Sequence, residues 1–106
     1  MANGILGTSE VPATTLTTVY TVPGDTFSVV TLNVVNRSTA PRTVRVALAA
    51  SGTPTLAEYI EYDVEILANG VLERTGIVLD ATLNIVVYAD SLGCSAVVFG
   101  LETATA

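Results

Sequence analysis

Glu58, Glu61, Asp63 and Glu65 are the one acidic cluster in this chain, and carboxylates so close in sequence could hold a cation or dock a basic partner. Glu61, Asp63 and Glu65 alternate with Ile60, Tyr62, Val64 and Ile66, which is the period of a strand. Same-face neighbours on a strand stand roughly 6.5 Å apart and diverge. That is too wide to close a calcium shell of oxygens at about 2.3–2.6 Å without help from a loop. A solvated outer sheet face accounts for the same residues. Carboxylate pairs also cleave glycosides, but that chemistry needs a sugar cleft, and the chain has no Trp and is only 6% aromatic. There is no His, which removes the commonest general base and metal ligand. The single Cys94 can form neither an internal disulfide nor, without His, a zinc site, and its apolar surroundings describe a buried, inert thiol. Neither a glycine-rich phosphate loop nor a GxSxG elbow is present. The residues therefore predict no enzyme, no catalytic or metal site and no cofactor.

Charge narrows the partners. The net charge is −6, and the four basic residues are Arg37, Arg42, Arg45 and Arg74. Phosphate backbones demand clustered Lys and Arg, so nucleic acid is not expected as a partner. Charged residues make up 13% of the chain, about half the usual share of roughly 25%. A small domain with so little charge is expected to have part of its surface covered, by partners or by copies of itself in a homo-oligomer. The first residues lack a basic, apolar leader pattern, and no run of about 18 apolar residues offers a membrane span.

The elements that would position these residues are strands. Tyr59 to Asp80 reads as a hairpin, with Asn69-Gly70 as a two-residue turn, because both residues tolerate φ > 0. In that register Glu65 faces Arg74, an unlike pair. The first strand would turn Ile60, Tyr62, Val64 and Ile66 to the core, and Tyr59, Glu61 and Asp63 outward as a candidate interface.

Breakers elsewhere recur at intervals of roughly ten residues. They delimit strands near 17–22, 26–36, 42–49, 59–67, 71–79, 82–89 and 94–102, with Pro23-Gly24 as a type II turn. The run 26–37 is apolar on both faces, with Phe27, Val29 and Val35 on one and Val30, Leu32 and Val34 on the other, as in a strand covered on two sides. The expected fold class is all-β: an antiparallel β-sandwich, jelly-roll or Ig-like, of about seven to eight strands. Its core is expected from Val29, Leu32, Val34, Val46, Ile60, Val64, Ile77, Ile85, Val87 and Val98. Residues 1–16 read as an extended N-terminal arm, 17–102 as the sandwich and 103–106 as a loose tail. Ile5, Leu6 and Val11 are the arm's candidate contacts with a neighbour.

Together the stretches VYTVPGDTFSVVTLNVVNRS (19–38), TVRVALA (43–49), YIEYDVEILANGVLERTGIVL (59–79) and VFGLE (98–102) resemble a family of small β-sandwich virion structural proteins of tailed bacteriophages. The YTVP turn, the NR after the long strand and the ERTGIVL strand carry the resemblance. Gly24-Asp25 stands where an alanine-glycine turn is expected in relatives, a change the turn chemistry survives. The resemblance implies a virion component assembled in the host cytoplasm and held by other capsid or tail proteins. A capsid decoration or cement protein is the first expectation, a tail or baseplate component the second. A monomeric carbohydrate-binding module is a third reading, from a different class, and requires an exposed aromatic platform.

Overall fold

Short runs of Val, Thr and Ile, which suit a pleated and half-buried surface, build eight strands in the computed structural model, which describes residues 3–105. They are β1 (Asn3–Val11), β2 (Thr17–Thr21), β3 (Thr26–Asn36), β4 (Arg42–Ala49), β5 (Tyr59–Ile66), β6 (Val71–Leu79), β7 (Asn84–Ala89) and β8 (Cys94–Ala104). A single 3-10 turn, Leu56–Glu58, leads into β5. The strands form two four-stranded sheets, β1-β8-β3-β6 and β2-β7-β4-β5. β1 pairs with β8, β2 with β7, β3 with β6 and β4 with β5, all antiparallel. One long hairpin rolled into two layers gives this order, so the sandwich is a jelly roll and not Ig-like.

The core lies between the sheets. Leu32, Val34, Val46, Ile77, Ile85, Val87 and Val98 are buried there as expected, with Ile60 packed at its margin. Val64 is only half-buried, and Val29 is 42% exposed because it faces away from the second sheet. A Cβ on Gly7 would run into the Val19 carbonyl oxygen, so glycine there lets β1 close against β2.

Three expectations need correction. Residues 3–11 are not an arm: β1 runs along β8 from Asn3↔Leu101 to Val11↔Cys94. Val11 is fully buried and Leu6 packs on the core, so both serve their own sandwich. The tail is not loose as far as 105, since Ala104 pairs with Thr26 and the Thr105 amide donates to the Asp25 carbonyl at 2.9 Å. Residues 1, 2 and 106 lie outside the described residues.

The second correction concerns 59–80, which is not a hairpin. β5 pairs with β4 in one sheet, and β6 pairs with β3 in the other. Leu67–Gly70 is a turn, closed by the Gly70 amide donating to the Leu67 carbonyl at 2.8 Å, that carries the chain between layers. Asn69 takes φ 59°, while Gly70 is not left-handed; its Cβ position lies 2.9 Å from the Leu67 oxygen. Glu65 sits opposite Thr43, and Arg74 reaches Glu61 at 2.9 Å across the edge strands of the two sheets. Local alternation is the same whether successive strands pair or change layer, so the sequence pattern could not separate the two. In the turn after Val22, likewise, the left-handed residue is Asp25 at φ 54° rather than Gly24.

The third correction is Tyr62. Asp63 has φ 54°, and the β4–β5 register slips between Val44↔Val64 and Val46↔Glu61. This bulge breaks the alternation and turns Tyr62 outward, 50% exposed.

Buried Asn36 holds the corner where β5 leaves for β6. Its Nδ2 donates to the carbonyls of Ala40, Ile66 and Leu67 at 2.8, 3.0 and 3.2 Å. Its Oδ1 accepts from the Ser38 amide and hydroxyl, at 2.9 and 2.6 Å. Replacing Asn36 by Ala strands these groups and is expected to cost about 1–3 kcal/mol in a denaturant melt. Deleting residues 2–11 is expected to cost roughly 2 kcal/mol or more, from fully buried Val11 at about 1.5–3 kcal/mol and half-buried Leu6 at less. A deletion that melts like the full chain restores the arm reading.

Candidate interaction surfaces

No pocket is found, and no group of three or more His, Cys, Asp or Glu is placed to hold a metal among the described residues. Cys94 is buried, and that burial pushes its thiol pKa up, away from the reactive thiolate. Tyr20 and Glu102 form a buried polar pair: the phenol donates to the carboxylate at 2.6 Å inside the sandwich.

On the outer face of the β2-β7-β4-β5 sheet, three tyrosines gather around an arginine. The Arg45 guanidinium lies 4.2 Å from the ring centre of Tyr62 and 5.1 Å from that of Tyr88. Tyr59 meets Tyr62 edge-on at 5.1 Å and covers Ala47, Ala49 and Val86. Asp63 binds Arg45 at 2.6 Å, which raises the guanidinium pKa further. Glu58 faces elsewhere; it accepts from the Thr55 and Ala50 amides, and these bonds hold its carboxyl below the ordinary value. The acidic cluster is thus dispersed into separate pairs: Glu58 on backbone, Glu61 on Arg74, Asp63 on Arg45.

The outer face of the β1-β8-β3-β6 sheet is of another kind. Register aligns Asn3, Leu101, Val29 and Val78 in one row across the four strands. The next row holds Ile5, Phe99 and Thr31, and the row on the other side holds Thr103 and Phe27. Ile5 is 70% exposed, Val78 62%, Leu101 57%, Val29 42% and Phe99 36%. None of the residues named in these rows is charged, while the exposed Asp80 follows Leu79 at the β6 end of the Phe27 row. The charged residues of the face, Glu73 and Glu10, sit in the rows of Asn33 and Val35 toward the far end of the strands.

Of the candidate interface residues, Tyr59 and Asp63 share one face, Glu61 turns to the sandwich edge, and Ile5 belongs to the opposite sheet. Leu6 and Val11 are core. Glu65, Asn69, Gly70 and Arg74 are brought together by no hairpin. The sequence reading missed Val78, Phe99, Leu101, Arg45 and Tyr88. One signal was available, the apolar second face of β3: a centrally placed strand has such a face, and here none of the described residues covers it.

Burial first, and then the bond to Glu102, pushes the Tyr20 phenol from 10.0 up to about 12. A folded-state pKa above the unfolded value gives stability that is complete below pH 10 and is lost as pH rises through about 12. Melting temperatures across that range are expected to fall more steeply for the wild type than for Tyr20→Phe. At neutral pH the same variant takes one partner from a buried carboxylate and is expected to cost about 1–3 kcal/mol.

No protein-family model, curated protein or solved structure matches this chain, so what the two faces do has to be argued from their own chemistry.

Proposed function

We propose that this chain is a virion structural protein of a phage-type particle, a capsid decoration or cement protein that works through protein–protein contacts. The observation that carries the reading is the apolar part of the outer face of the β1-β8-β3-β6 sheet, where Ile5, Val29, Val78, Leu101 and Phe99 are open to solvent in rows without Glu73 and Glu10. Contiguous apolar surface of this kind marks an interaction site. The low charged share of the chain points the same way. Jelly rolls serve viral capsid and lectin domains alike, so the fold by itself does not choose between them.

The tyrosine cluster on the other sheet is the observation that would favour a carbohydrate-binding module. Its geometry argues against that use. A sugar stacks on an open ring face, whereas Arg45 lies over Tyr62 and approaches Tyr88, and Tyr59 is spent on Ala47, Ala49 and Val86. The test is to image particles of a phage that encodes the chain, with the chain carrying a small tag at its C-terminus. Regularly repeated tag density on the outside of the head is expected. Density on the tail replaces decoration by the tail or baseplate alternative. A chain absent from particles that binds glycans as a monomer overturns the proposal.

A further inference from the structure

The uncharged face has an internal order that names its occupant. In its Phe99, Val29 and Phe27 rows the bulk is unevenly divided. Ile5, Phe99 and Leu101 lie on the β1 and β8 half, facing across the sheet to Thr31, Val29 and Val78 on the β3 and β6 half. The remaining row reverses the division, with Phe27 on β3 beside Thr103 on β8. A two-fold axis lying along the strands, between β8 and β3, exchanges the halves while keeping each row in place. Phe99 of one copy then stands over Thr31 of the other, Leu101 over Val29, Phe27 over Thr103, and Ile5 over the β6 bulge at Gly76. The Phe99 and Phe27 rows thus set an aromatic side chain on a threonine, and the row between them sets Leu on Val, as interdigitating sheets require.

We infer that this face is the contact between two copies of the chain, packed sheet on sheet about that axis. The size suits a weak, concentration-dependent dimer. Three rows about 6.6 Å apart, across four strands at about 4.8 Å, present a projected face on the order of 400 Å². A corrugated face exposes more than its projection, which places the contact at the small end of the scale on which a standard interface takes about 800 Å² from each partner. The charge distribution is suitable too. A chain of net charge −6 meets its own copy at no electrostatic cost only through a surface that its carboxylates avoid, and these rows are that surface. A different partner would have to bring a matching pattern of large and small side chains, whereas a second copy carries it already.

The inference rests on the proposed function only in that both make the chain act through protein contacts. Sedimentation of the full chain over a wide concentration range tests it. The wild type is expected to show a monomer–dimer equilibrium. Leu101→Lys and Val29→Glu, both at exposed positions, are each expected to weaken the dimer on the order of a hundredfold, since each buries an unpaired charge. An equimolar mixture of the two variants is expected to recover a heterodimer, because the axis sets position 101 of one copy over position 29 of the other. Ile5→Lys, at the sheet edge and 70% exposed, serves if either central variant melts early. A wild type that remains monomeric throughout, or variants that dimerise as well as the wild type, overturns the inference. Dimers whose variants fail to recover on mixing overturn the axis. A dimer that never joins particles refutes the virion reading alone, and a monomer that joins them refutes this inference alone.

Discussion

Asn36 is the side chain on which the topology turns. Its amide is fully buried at the end of β3, and its partners are the carbonyls of Ala40, Ile66 and Leu67 with the Ser38 amide and hydroxyl. An amide has two donor hydrogens and an acceptor oxygen, and a buried one must find partners for all of them. Here the partners come from the loop after β3 and from the last residues of β5, while the Asn36 main-chain amide reaches the Gly70 carbonyl at 2.9 Å. The corner is thereby fixed to the β3 end. β5 cannot fold back on itself there, and β6 is delivered to the opposite sheet beside β3. The order of both sheets follows from that delivery.

Once the layers are set, each sheet has one face toward the core and one away from it. β7 and β4 have their outer faces partly filled from within the chain, by Tyr59 over Ala47, Ala49 and Val86. Among the described residues, β3 and β8 have no such cover. Their outward residues nonetheless include Phe27, Val29, Phe99 and Leu101 beside Thr31 and Thr103, where a solvated strand would carry Thr, Lys or Glu throughout. Burying such side chains releases about 25 cal/mol per Å² of apolar surface. The chain leaves that free energy unused, in rows set apart from Glu73 and Glu10 at the far end of the strands. The coincidence of exposed apolar side chains with absent charge is the basis for reading the face as a contact surface rather than as scattered surface hydrophobics.

Strand positions were legible in the sequence because alternation and breakers are local signals. β2 through β7 fall close to the expected ranges, and the principal core side chains were found. Pairing was not legible. Asn69 does adopt the left-handed conformation that Asn-Gly suggests, yet the turn joins layers rather than neighbours, a choice made by Asn36, which is more than thirty residues away. β1 was missed because it contains Gly4 and Gly7, is disrupted by a bulge between Ile5 and Gly7, and owes its place to pairing with β8 at the other end of the chain. The bulge at Asp63 hid the tyrosine cluster in the same way, by moving Tyr62 to a face that strict alternation denies it. As for the uncharged face, half of its signal lay in β3 and was read as burial on two sides. Whether the second side is covered depends on the layer count, which no single strand reports.

The central claim is that the outer face of the β1-β8-β3-β6 sheet is covered when the chain does its work. Hydroxyl-radical footprinting reads this directly, since the radical oxidises exposed Phe, Leu and Tyr side chains. Comparing assembled chain with the dissociated monomer, Phe99 and Leu101 are predicted to lose reactivity on assembly, while Leu67 at the β5–β6 turn and Tyr62 on the opposite face keep theirs. Phe99 and Leu101 as reactive in the assembly as in the monomer, with protection at Tyr62 instead, would contradict the account.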